Sequence, residues 1–439
     1  MRVGTSFPQD DRKEVIRPGC LDSAGMSRAL QVVLAVAAVV VSKFLVEPLL
    51  RLNGWTALGS LAGFLAVAVA IVAAARHLSG RQGSIPEVDA RRLAWADLAK
   101  AIAVVLVVAY HVSPTTMGHL MVGTNRAAGL YASFTTWLLP VRMPLFFLIS
   151  GMLSVRALHR PWRAVWRPRV ADILWPFVLW TALLAVPFAL AYVATDPFGY
   201  LPRQAGWLVN FAGNYWYLPL LVAFFLTARM LRGAPLFAVA LGVLLYFWSG
   251  PMPRDIGGVF LNDAMLTLIR FSIFWIWFAV GAFARPLVVR WARAPWWLGL
   301  IAFVAYWPLA WLRYERGMDD LTPIATVVGI TAILVFARLL ARWAPAARLG
   351  SYLAARTLPI YLYHPLLLAL LVLALPKYGG VGSVVVIPLV PILVISAVAI
   401  ACLAYDATRH RLPWLYRWPV RAAQREPSPA ESAVPQRLR

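Results

Sequence analysis

The chain has 439 residues, 61% hydrophobic and only 13% charged, with a mean hydropathy of +0.72. A soluble domain carries about 25% charged residues, so the composition excludes a water-soluble globule and points to an integral membrane protein. The formal net charge of +23 sits in short gaps between apolar runs, where Lys and Arg flank spans on the cytoplasmic side; the expected partner is the lipid bilayer, not nucleic acid.

Residues 1–27 form a polar, mixed arm, read as a mobile segment because it has too little apolar surface to bury. No small-residue cleavage site precedes the first apolar run, which therefore reads as a span and not as a signal peptide. About twelve apolar segments follow, each near the roughly 20 residues that a helix needs to cross about 30 Å of hydrocarbon. They are predicted at 29–50, 55–75, 94–113, 128–154, 171–193, 215–231, 236–250, 264–284, 295–312, 322–341, 358–375 and 383–405. The runs are continuous and rich in Leu, Ala and Val, where a membrane barrel alternates at period two. The expected fold class is all-α, a polytopic transmembrane bundle. Its parts are the arm, two additional N-terminal helices with a basic loop (28–90), a ten-helix membrane domain (91–408), and a basic, disordered tail (409–439).

Charge sets the orientation. With the N-terminus in the cytoplasm, the arginines of 76–92, 156–169, 229–232, 285–293, 342–356 and the tail from Arg409 fall on one side. Asp196, Asp255, Glu315, Asp319 and Asp320 fall on the other. That asymmetry predicts a multi-pass protein of the inner (plasma) membrane with both termini cytoplasmic. The two cysteines, Cys20 and Cys402, are too few and too far apart for a disulfide framework. No zinc-protease, Walker or serine-elbow motif occurs, and no internal repeat suggests an inverted-repeat transporter.

Ionisable side chains within apolar spans are costly, so each needs a partner or a purpose. His111 closes the run WADLAKAIAVVLVVAYH, with Lys100 eleven residues earlier and Asp97 one turn before that. Eleven steps of about 100° return to nearly the same helix face, and the stripe climbs about 16 Å. A neutral imidazole at its top suits a general base; the plainer alternative is a histidine bonded to a neighbouring helix, with Asp97 and Lys100 as interfacial anchors. Arg142, between Pro140 and Pro144, lies in mid-span, and two prolines so close predict a kinked or re-entrant helix. It either stabilises an anion or reaches a wet cavity or an acid. Arg270 is a similar case, with Asp263 two turns earlier as its expected partner. His364 precedes Pro365 and reads more as packing than as chemistry. Asn214 to Tyr217 read first as an interfacial aromatic belt, and alternatively as a platform for a stacked sugar.

The run from Arg92 to His111, with Asp97, Lys100 and His111, resembles the opening signature of the membrane-bound acyltransferase family 3, a basic residue and a histidine separated by ten positions. MPLFFLISGML (143–153), YWYLPLL (215–221) and LPIYLYHPLLL (358–368) are similar to three later segments of that family, in order. The resemblance spans roughly 91–405 and leaves the first two helices outside it. It implies O-acyl transfer with His111 and Lys100 as the catalytic residues, His111 as the base that deprotonates an acceptor hydroxyl and Lys100 as the cation that contacts the donor's thioester or its phosphates. Acyl-CoA, acetyl-CoA above all, would be a donor substrate and not a resident cofactor; the acceptor would be an envelope carbohydrate or glycolipid. Asp97, Arg142, Trp216, Tyr217 and His364 are the candidate substrate contacts. Arg163, Arg167 and Arg169 are candidates for the donor's phosphates, which arginine binds in a bidentate fork. No metal site is expected. The competing reading is a proton-coupled transporter or flippase that uses His111 as its coupling group.

Overall fold

The computed structural model describes residues 93–419, apart from 123–124, 194–195, 197, 251, 253, 376–377 and 380–381. The N-terminal arm and the helices expected at 29–50 and 55–75 lie outside these residues. Each of the remaining expected spans meets a helix. Helix α1 is Ala94–Tyr110, and it runs into a π-helical turn, His111–Met117. Pro114 has no N–H to give, which breaks the regular ladder at that point; Thr116 Oγ1 donates to the His111 carbonyl at 2.9 Å. Such π turns recur at functional sites.

The span expected at 128–154 is two helices, a correction. They are α2 (Arg126–Trp137) and α3 (Leu139–His159). Asn125 caps the first, accepting from the Ala128 N–H at 3.1 Å. Pro140 falls in the first turn of the second, where a missing N–H costs nothing, so it starts a helix and does not bend one. Next come α4 (Asp172–Tyr192), preceded by helical turns from Trp162, then α5 (Leu201–Asn210), α6 (Tyr217–Met230) and α7 (Pro235–Trp248). The chain continues with α8 (Val259–Phe283), α9 (Arg285–Ala292), α10 (Trp296–Glu315) and α11 (Thr322–Leu340). It closes with α12 (Ala344–Ala355), α13 (Thr357–Ala374) and α14 (Ser383–Thr408). A two-residue parallel bridge, Met121–Val122 with Tyr378–Gly379, ties the loops after α1 and α13.

This is a multi-pass helical membrane protein, but the expected count of twelve is not reached among the described residues. Seven helical segments are long and apolar enough to cross, or eight if α9 and α10, bent by 91°, form one span. Helices α6 and α7 have 14 residues each, about 21 Å of helix, short of the hydrocarbon thickness.

The bundle is organised around α3, which has 89% of its apolar window buried, against 33% for α14. Its closest partner is α8. The two run in the same direction and touch through glycine: a Cβ at Gly151 would collide with the Phe278 carbonyl, and one at Gly281 with the Leu148 carbonyl. Small residues that let backbones meet are how helices associate in lipid, where burial of apolar surface drives little. The arginine-rich connections 156–169, 285–293 and 342–356 form the basic end of the bundle, and Asp196, Asp255 and Asp319 lie at the other.

The tail also departs from expectation, since it is ordered through Trp418. Trp175 and Trp180 donate from Nε1 to the carbonyls of Trp414 (2.6 Å) and Leu415 (2.9 Å), and the Trp418 N–H donates to Asp172 Oδ1 at 3.0 Å. Tyr416 is buried, its hydroxyl 2.8 Å from Tyr363 and 2.6 Å from Thr408. The aromatic content of PWLYRW supplies the buried surface that a basic, Pro-rich tail lacks. Tyr416→Ala is expected to cost about 3 kcal/mol, the scale of a buried aromatic truncation, read as a lower melting temperature of the detergent-purified protein. An unchanged melting curve would show that the strap contributes nothing to stability.

Candidate active site

Among the cavities formed by the described residues, one toward each end of the bundle takes in the residues singled out above. The larger is about 570 Å³ and is entered near the acid-bearing end. His111 lines it, carried there by the last turn of α1 where the helix widens. Its Nδ1 lies 2.8 Å from the Val107 carbonyl. A carbonyl only accepts, so Nδ1 carries the proton and Nε2 keeps its lone pair. His364 does not line this cavity. It is fully buried behind His111 with ring centroids 5.0 Å apart, and its own Nδ1 is 3.0 Å from the Ile360 carbonyl. Packing of α13 against α1 puts it there, as support for the His111 ring.

Arg142, 7% exposed, enters the same cavity from the first turn of α3. Its guanidinium lies over the Tyr110 ring, 3.8 Å from the centroid, while Nε and Nη1 are buried without a protein acceptor. Arg270 reaches in from α8 and covers the Trp216 ring at 4.5 Å, with Phe274 stacked near it (5.6 Å, 23°). Asp263 is not its ion-pair partner: that carboxylate is 3.7 Å from Arg203 Nε and accepts from Trp207 Nε1 at 3.0 Å. Trp216 therefore faces inward. So do Tyr215, which is buried and donates to the Leu362 carbonyl at 2.7 Å, and Tyr217, also buried. The segment is not an interfacial belt, because helix packing turns its rings to the core.

The smaller cavity, about 200 Å³, lies toward the basic end and is lined by Lys100, Ser150, Arg169 and Tyr217 among others. The Lys100 Nζ is 6.0 Å from the Phe146 ring centroid, and Arg169 donates to the Leu153 carbonyl at 3.4 Å. Arg163 and Arg167 are exposed beside it and do not line it; Arg167 Nε is 3.8 Å from Asp172. Asp97 lines neither cavity, and it accepts from Ser351 Oγ of α12 at 3.0 Å. Tyr361 of α13 lines both cavities. Its hydroxyl donates to the Asn214 carbonyl at 3.0 Å, and its ring centroid is 5.7 Å from Tyr217.

One comparison decides the class: the model of the Acyl_transf_3 family, described as an acyltransferase domain, matches residues 93–406. The chain belongs to this acyltransferase family. Comparison with curated proteins and with solved structures gave no match. The matched region takes in every residue of both cavities, and it begins at the first described helix. As a membrane acyltransferase, the protein has Lys100 within α1 and His111 just past its end, each in its own cavity.

Sequence reasoning passed over Tyr361, Arg254 and Arg313, which also line these cavities. The two arginines did leave a signal. Like Arg142 and Arg270, they sit in or near the half of the bundle where cations are scarce, and cations against that bias ask for a reason.

Proposed function

We propose that the protein is an O-acyltransferase that takes the acyl group from acyl-CoA at the basic, cytoplasmic end and delivers it to a hydroxyl held in the larger cavity. The observation that carries this reading is His111, its Nε2 not committed to Val107, on a cavity that shares the lining residue Tyr361 with a second cavity lined by Lys100 and Arg169. His111 Nε2 takes the hydroxyl proton as the acceptor oxygen bonds to the thioester carbon. Negative charge moves to the carbonyl oxygen, where the Arg142 guanidinium stabilises it in a site shielded from water. Collapse breaks the C–S bond, the coenzyme A thiolate leaves and takes up a proton, and the ester remains on the acceptor. The donor enters as acetyl-CoA or a longer homologue, and the acceptor is a sugar or glycolipid of the cell envelope.

Lys100 holds the donor away from the reacting carbon. The ten residues between it and His111 are helical, so eleven steps of rise put about 16 Å between them, and the two side chains serve different parts of the donor. Arg169, and at the surface Arg163 and Arg167, continue that basic path toward the donor's phosphates. Lys100→Ala and Arg169→Ala are each expected to raise the KM for acyl-CoA roughly 10- to 100-fold, the scale of a lost charge-assisted hydrogen bond, with a smaller fall in kcat. A fall in kcat at unchanged KM would place Lys100 at the thioester instead.

The direct test is transfer of radiolabel from acetyl-CoA in membranes that contain the wild type or His111→Ala, with lipids and polysaccharide extracted separately. Label incorporated by the wild type alone supports the reading and shows which fraction contains the acceptor. Equal incorporation by both, with acetyl-CoA and with longer acyl donors, would refute His111 as the base.

A further inference from the structure

The larger cavity holds more positive charge than acyl transfer to a neutral sugar requires. Four arginines line it: Arg142 from α3, Arg254 from the loop before α8, Arg270 from α8 and Arg313 from α10. No aspartate or glutamate does. Among the described residues, two acids lie near it. Asp263 is held by Arg203 and Trp207, and Asp319, 82% exposed, reaches only Arg313 Nη2 at 3.5 Å.

The polar atoms left over on this cavity are all donors. Arg142 Nε and Nη1, Arg270 Nη1, Arg313 Nη1 and Asn214 Nδ2 are buried without a protein acceptor. Arg142 can serve the oxyanion of the reaction, but Arg270, Arg313 and Asn214 remain. A buried guanidinium is normally paired; among the described residues no ion pair holds Arg142 or Arg270, and Arg313 keeps Nη1 open beside its pair with Asp319, which suits a ligand that brings its own negative charge. Water satisfies donors but supplies no charge. Guanidinium forks match oxyanions in geometry as well, and the aromatic floor of Trp216 and Phe274 beneath Arg270 gives the uncharged part of a ring-shaped ligand a surface to stack on.

We propose that this cavity takes an acceptor bearing an anionic oxygen group, a phosphate or a carboxylate, which Arg270 and Arg313 hold while a neighbouring hydroxyl faces His111. The proposal rests on the acyl-transfer reading for the role of the hydroxyl, and on the cavity alone for the anion.

The test uses the full-length protein, first in neutral detergent with glucose 1-phosphate, glucuronate, glucose or sodium chloride at matched ionic strength. It is then repeated in nanodiscs of phosphatidylcholine with or without phosphatidylglycerol. Thermal unfolding is the readout. Glucose 1-phosphate or glucuronate is expected to raise the melting temperature of the wild type by about 2–4 °C at several times its Kd, and glucose and chloride are expected to leave it unchanged. The shift should vanish in Arg270→Gln and in Arg313→Gln; should one of these fail to fold, the other decides. A shift seen with the soluble sugars identifies a free anionic sugar, and one seen only with phosphatidylglycerol identifies a lipid headgroup.

The proposal is overturned if no anion shifts the wild type, if chloride does so equally, or if the variants keep the shift. Acyl transfer by wild type and His111→Ala membranes is measured in parallel. Label transfer without anion binding leaves the acyltransferase reading standing and removes this one; arginine-dependent anion binding without transfer does the reverse.

Discussion

His111→Ala is expected to lower the rate of acyl transfer by roughly 10²- to 10⁴-fold, the contribution of a positioned general base, while the protein still accumulates in membranes. The expectation follows from tautomer and position. Hydrogen bonding of Nδ1 to Val107 at 2.8 Å commits the proton to that nitrogen and leaves Nε2 as the basic atom of a ring that lines the cavity. The π turn begins at His111, and His364 packs against its ring at 5.0 Å. His111→Gln keeps a polar side chain of similar reach but no basic nitrogen, so it should be as inactive as alanine. His364→Phe should retain the packing and most of the activity, since that ring touches no substrate. The measurement is initial transfer rate per unit of protein in membranes, with kcat and KM separated. Full activity in both His111 variants would remove the histidine from the chemistry and shift attention to solvent as the proton acceptor.

The second large effect is on folding. Gly281→Leu is expected to abolish recovery of monodisperse protein, and Gly281→Ala to lower the melting temperature clearly. Gly151 and Gly281 sit where α3 and α8 touch backbone to backbone, and each would place a Cβ against a carbonyl of the other helix. Overpacking ordinarily costs about 1–3 kcal/mol because side chains yield; here the obstacle is main chain, so the helices must separate. The damage would reach the active site, since Arg142 lies nine residues before Gly151 and Arg270 eleven before Gly281, about 14 and 16 Å along two helices of the same direction. That crossing sets the two guanidiniums at nearly one height. Gly129 of α2 serves as the control, because a Cβ there meets nothing within 4 Å. Gly129→Ala should be neutral or stabilising by about 0.5–1 kcal/mol, the ordinary helical preference for alanine. Size-exclusion profiles and thermal unfolding in detergent separate the cases, and a well-folded Gly281→Leu would show that close backbone contact between α3 and α8 is not required for the fold.

By itself the sequence determined that the chain crosses a membrane as helices, because about 20 apolar residues with backbone bonds closed inside the segment is the condition for spanning lipid. It also located the Lys100 to His111 stripe, since both residues lie on one helix and their separation follows from rise and turn alone. The tertiary structure decided what lies on different helices. Arg142, Arg270, Arg313 and Trp216 come from four segments spread over 172 positions, and no period relates them. Tyr215 and Tyr217 read as belt residues and turn inward, His364 falls behind His111, and PWLYRW docks although the tail around it is basic.

The physical reason is common to all of these. In water, polarity tells the buried face of a helix from the exposed one; in lipid both faces are apolar, and the contrast that a sequence reader depends on is missing. Which face meets a neighbour is then set by close packing of small residues such as Gly151 and Gly281, and only the folded bundle shows where those contacts aim the charged side chains.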